Sequence, residues 1–121
     1  MGKSARHFRF PFDPARARLL LGKKAREFPP GPRLVRLLLG PEGDFSCSDF
    51  PLPARADPGP LRVAFALSPV DSRDHWLRHK TTRRKIYEAA RGERPGFDEV
   101  ILCNERGEVT EATASNVVIE K

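Results

Sequence analysis

The sequence predicts an α+β fold, and three observations carry that expectation. A helix start with its own cap stands at Phe12-Asp13-Pro14-Ala15. A strand pair flanks the turn Gly40-Pro41-Glu42-Gly43-Asp44, and a second hairpin is centred on Asn104-Glu105-Arg106-Gly107. With 121 residues, 39% of them hydrophobic, the chain has one domain's worth of length by the usual size prior and enough apolar side chains for a modest core.

The elements follow in order. Asp13 can accept from free amides at a helix start, and Pro14 suits the first helical position, where its missing N–H costs nothing. Leu19, Leu20 and Leu21 are expected to form the buried stripe of that helix, which must end before Phe28-Pro29-Pro30-Gly31-Pro32. Arg33–Leu39 reads as a strand and Phe45–Phe50 as its alternating partner. Pro51, Pro53, Pro58 and Pro60 fill the connection to a further strand at Leu61–Leu67. After Ser68-Pro69-Val70-Asp71 the texture changes to a helix over Thr82–Arg91, with Ile86, Ala89 and Ala90 on its apolar side and Gly92 and Pro95 as stops. Glu99–Cys103 is a strand, and Gly107 provides the positive φ of the turn into a returning strand over Glu108–Thr113. Period two places Val109 and Glu111 on one face, so Glu111 is expected to be partly buried and to need a polar partner.

Composition narrows the function classes. The net charge of +6 comes from 22 Lys plus Arg against 16 Asp plus Glu. The arginines are scattered, not gathered into a stripe with interleaved aromatics, so a solvated surface is expected and no nucleic-acid partner. Cys47 and Cys103 are single and far apart, which fits a reduced cytoplasmic setting with both thiols as small buried hydrophobes. No apolar run approaches the roughly 20 residues of a membrane span, and no membrane partner is expected. His75 and His79 are four apart, a spacing that puts two ligands on one helix face, but no third or fourth ligand lies nearby in sequence; no metal is expected.

Two residues carry chemistry. Lys80 lies in His79-Lys80-Thr81-Thr82-Arg83-Arg84, and Glu111 lies in Glu108-Val109-Thr110-Glu111-Ala112-Thr113-Ala114-Ser115-Asn116-Val117. A lysine beside a helix start is ordinarily a solvated cation, and a strand glutamate is ordinarily an outward carboxylate. As a pair, they are an amine able to form a Schiff base and a carboxylate able to keep a pyridinium nitrogen protonated. With its flanking residues, Glu111-Ala112-Thr113-Ala114-Ser115-Asn116-Val117-Val118 resembles the glutamate signature of the class IV aminotransferases, the fold-type IV pyridoxal 5'-phosphate (PLP) enzymes. Val118 stands where the family usually has an aromatic. Within the family, His79-Lys80-Thr81-Thr82 with Arg84, Tyr87 and Asp98-Glu99-Val100-Ile101-Leu102 looks most like 4-amino-4-deoxychorismate lyase, in the form fused behind aminodeoxychorismate synthase component I. The likeness is firm from about Asp71 to Glu120 and looser before it, where Ser4–Phe10 looks like the end of the family's first long helix.

The resemblance implies an α+β fragment of a fold-type IV enzyme, with residues 1–70 as the C-terminal part of the small domain and 71–121 as the N-terminal part of the large, PLP-binding domain. The chain is expected to be an internal piece of a longer enzyme that is a homodimer when complete. Lys80 would be the Schiff-base lysine and general acid/base, Glu111 the partner of the ring nitrogen, and Thr113 and Ser115 cofactor contacts. For these two hydroxyls a polar strand bend is the alternative, and for Asn116 it is preferred. Arg84 is a candidate for a substrate carboxylate, with a surface ion pair as the alternative. The implied reaction is loss of pyruvate from a small amino-acid-like substrate to give 4-aminobenzoate, a step of folate biosynthesis. Transamination of branched-chain or D-amino acids on the same scaffold, or an inactive fragment, are the other readings.

Overall fold

The computed structural model describes residues 1–52 and 59–120. These fall in two compact units, Met1–Ala56 and Asp57–Lys121. Pro53 and Pro58 of the expected linker lie outside the described residues.

In the first unit, α1 spans Gly2–Phe8 and α2 spans Pro14–Glu27. The Asp13 carboxylate accepts from Ala15 N at 2.8 Å and Arg16 N at 3.2 Å, as its position before Pro14 predicts. The expected leucine stripe is not buried: Leu19 is 72% and Leu21 36% exposed, and Ala17 is the buried residue of the helix. Three consecutive leucines spread over about 200° of a helix's circumference and cannot all share one face. The hairpin forms as read, with β1 over Arg33–Leu39 antiparallel to β2 over Phe45–Pro51, and Leu39 opposite Phe45. Its turn closes through Gly43 N donating to Gly40 O at 3.1 Å. Gly43 sits at φ 82, and a Cβ there would meet Pro11 at 2.9 Å, so glycine is needed on both counts.

In the second unit, a three-stranded sheet has the order β3-β4-β5, with β3 Val63–Phe65 parallel to β4 Glu99–Cys103 and β4 antiparallel to β5 Val109–Ala112. The strand expected over Leu61–Leu67 is shorter, but the chain stays beside β4: Ala66 N donates to Ile101 O and Val70 N to Cys103 O, both at 2.9 Å. A 3-10 turn, His75–Arg78, precedes helix α3, Lys85–Glu93. The helix starts later than read because the Thr81 hydroxyl accepts from Arg83 N at 3.2 Å, a local turn that competes with helix. It also runs through Gly92; the left-handed turn falls at Gly96, φ 88. Ala90, Val100 and Leu102 form the core, with Ala66, Val70 and Tyr87 packed against them, whereas Ala89 is exposed. Cys47 and Cys103 are half-buried, not buried as expected.

Candidate active site

The turn at Asn104–Gly107 fixes where Glu111 points. Asn104 Oδ1 accepts from Arg106 N and Glu108 N, both at 3.0 Å, and Gly107 takes φ 76. The ladder then steps from Cys103↔Val109 to Leu102↔Glu111, leaving Thr110 as the extra residue of a bulge. Strict alternation is thereby broken. Val109 turns out to be 49% exposed while Glu111 is half-buried, so the two do not share a face as period two predicts. Thr110 uses its side chain instead, donating to Leu102 O at 3.1 Å.

Glu111 has the partner its burial calls for. Tyr87 Oη donates to Glu111 Oε1 at 3.0 Å from the side of α3. Burial of the phenol, then the hydrogen bond to Glu111 and the carboxylate's charge, push the Tyr87 hydroxyl up to about 12, with the Arg84 cation opposing. The Arg84 guanidinium carbon lies 4.3 Å from the Tyr87 ring centroid, and the same guanidinium donates to Thr113 O. Arg84 and Tyr87 are three apart at the start of α3, the spacing that stacks side chains along a helix. Arg84 is the N-cap of α3 and Lys80 lies in the coil before it, so no helical turn joins the two.

A cavity of about 290 Å³ is lined by Lys80, Arg84, Tyr87, Glu111, Thr113 and Ser115, with Trp76 and Asn116 among its further walls. The sequence-chosen residues are therefore brought to one place, with Lys80 exposed at its edge. Thr113 and Ser115 enter with their hydroxyls engaged. Both donate to Glu99, Ser115 Oγ at 2.6 Å, and Thr113 is 1% exposed. Arg83 stacks over Trp76 at 5.1 Å, so with Arg78, Lys80 and Arg84 the lining carries four cations against the carboxylates of Asp74 and Glu111. That balance favours anionic ligands. His75 falls in the 3-10 turn and His79 caps it, and among the described residues no group of three or more His, Cys, Asp or Glu is arranged to hold a metal.

Tyr87 and Glu99 are the residues to which the sequence reading gave no role. A lone tyrosine one turn beyond Arg84 was a usable signal for the first. For the second, the signal was a charge leading directly into Val100-Ile101-Leu102, a run too apolar for a solvated strand.

Comparison with known proteins places this chain in a family. A solved structure from Mesorhizobium loti, which carries a provisional amino-acid aminotransferase designation, is 36% identical with a TM-score of 0.80 over 92% of this chain. The chain spans 54% of that structure's length. No curated protein matches it. The class IV amino-transferase family profile matches residues 1–121. The chain belongs to the class IV aminotransferase family, whose members are PLP-dependent enzymes.

Proposed function

We propose that Lys80 and Glu111 are the two cofactor-activating groups of a PLP enzyme, and that its reaction is the 4-amino-4-deoxychorismate lyase reaction. The observation that supports the site is that one cavity collects Lys80 and a Glu111 already oriented by Tyr87. The donor set fits the cofactor: an amine for its aldehyde, a carboxylate for its ring N–H, and nearby arginines for anionic groups. Bound there, PLP supplies an electron sink for negative charge developing at the substrate's α-carbon.

The chain's own contributions follow. Lys80 Nζ would hold the cofactor by its aldehyde and would serve as the acid/base for the substrate's α-proton. Glu111 keeps a proton on the ring nitrogen, and the Tyr87 hydroxyl fixes the carboxylate's direction. Arg84, braced on the Tyr87 ring and on Thr113 O, is preorganised to meet a substrate carboxylate. Thr113 and Ser115 shape the wall beside the cofactor. In this reading residues 1–70 belong to the small domain and 71–121 to the large one, with the end of the small-domain segment, β3, lending a strand to the second unit's sheet. The complete enzyme is a cytoplasmic homodimer acting on small amino-acid-like substrates, and none of the described helices is long and apolar enough to cross a membrane.

The lyase assignment rests on the likeness of His79–Thr82, Arg84, Tyr87 and Asp98–Leu102 to that branch of the family. The second reading is transamination, favoured by the designation of the Mesorhizobium loti structure. Product analysis separates them. The PLP-loaded protein given 4-amino-4-deoxychorismate should release equimolar pyruvate and 4-aminobenzoate. Amino transfer from an amino acid to a 2-oxo acid, with no 4-aminobenzoate formed, would replace the lyase reading with the transaminase one.

A further inference from the structure

Glu99 is the most deeply buried carboxylate of the second unit's sheet, 4% exposed, and the proposed chemistry does not use it. It opens β4, where a charge is expensive unless several donors surround it. They do. Its Oε2 accepts from Ala114 N at 3.2 Å and Ser115 Oγ at 2.6 Å; its Oε1 accepts from Val100 N at 3.0 Å and from the Thr113 hydroxyl. Arg91 Nη1 lies 3.8 Å from Oε1 and donates to Thr113 Oγ1 at 3.3 Å. Burial raises its pKa, and the Ser115 and Thr113 hydroxyls with the Val100 and Ala114 amides outweigh that, holding it at about 2.

Three of those donors belong to Thr113, Ala114 and Ser115, the segment that walls the cavity beyond the end of β5. The strand ladder reaches only as far as Thr113 N, which donates to Val100 O at 2.9 Å. From there Ala114 and Ser115 are fastened to the sheet through Glu99. The fastening reaches further, because Thr113 O receives the Arg84 guanidinium, which stacks on the ring whose hydroxyl orients Glu111.

We propose that Glu99 is a positioning residue: an ionised, buried clamp that fixes Thr113–Ser115 against β4 and thereby aligns Arg84, Tyr87 and Glu111 around the cavity. This rests on the cofactor reading above for its functional consequence, but the clamp itself is a statement about this chain alone. Glu99→Gln keeps the volume and removes the charge. One of its oxygens becomes an amide that cannot accept from a backbone N–H, so Ala114 N or Val100 N loses its partner.

The test is residue-resolved hydrogen exchange on the parent and on Glu99→Gln, together with the PLP concentration that half-saturates borohydride-fixed labelling of Lys80. Ala114 N or Val100 N, whichever faces the new amide nitrogen, should exchange about tenfold faster in the variant while Leu102 N keeps its protection, and half-saturation should rise by about tenfold, the scale of one lost hydrogen bond to a charged acceptor. Glu99→Asp, which keeps the charge, should restore part of both. A purely structural role would lower global stability and leave half-saturation unchanged; that result overturns the proposal. So does exchange within twofold of the parent at both Ala114 N and Val100 N. If Glu99→Gln loses protection at Leu102 as well, Ser115→Ala, which removes one donor to Glu99, decides by amide exchange at Ala114 alone, expected severalfold faster, with no change again overturning the clamp. A parent that never labels at Lys80 would sink the cofactor reading, and exchange at Ala114 and Val100 would still decide the clamp.

Discussion

Replacing Glu111 by Gln changes the titration of Tyr87, and the chain has a single tyrosine, so absorbance near 295 nm reads that phenol alone. In the parent its hydroxyl is raised from 10.0 to about 12, by burial first and then by the bond and charge of Glu111. At pH 11 a phenol of that kind is ~90% protonated, whereas an ordinary one is ~90% ionised. Glu111→Gln removes the charge 3.0 Å from the oxygen and leaves the burial and the Arg84 cation in place. The midpoint should fall by about one unit, equivalent to ~1.4 kcal/mol, and not all the way to the ordinary value. Between pH 10.0 and about 12 the unfolded phenol has lost the proton that the folded one keeps, so stability is full below that window and declines through it. A parent midpoint near pH 10, or a variant within 0.2 unit of the parent by spectrophotometric titration (roughly 0.3 kcal/mol), would refute the Tyr87–Glu111 pairing.

Glu99 shapes the acid limb. Its folded value of about 2 lies below the ordinary 4.5, so its contribution is complete above pH 4.5 and is lost as pH falls toward 2; Glu99→Gln should flatten denaturant midpoints over that window. Asp13→Ala removes the carboxylate that accepts from Ala15 and Arg16, and helix α2 should lose about 1 kcal/mol, read from amide exchange along Pro14–Glu27. Tyr87→Phe keeps the ring beneath Arg84 and removes only the hydroxyl, so turnover of the PLP-loaded protein should drop by roughly tenfold with Lys80 labelling retained.

The local signals in the sequence were sufficient wherever one short-range interaction decides the structure. The Asp13 cap, the Gly40–Asp44 turn, the Asn104–Gly107 turn and β4 over Glu99–Cys103 all form where they were read. The misses have separate physical causes. Leu19 and Leu21 stay exposed because helical geometry spreads consecutive leucines. The start of α3 yields to the Thr81 hydroxyl, and the face of Val109 yields to a bulge at Thr110. At the site, the residue types of Lys80, Arg84, Glu111, Thr113 and Ser115 were legible from their motifs. Their connections were not, because Tyr87 to Glu111 and Glu99 to Ser115 are contacts between different elements that no local pattern encodes.

Whether Lys80 is the cofactor lysine can be read from the masses of reductively fixed peptides. After incubation of the protein with PLP and treatment with borohydride, one pyridoxyl group should be found, on the peptide containing Lys80. Label spread evenly over Lys23, Lys24, Lys80 and Lys85, or absent from Lys80 in folded protein, would contradict it.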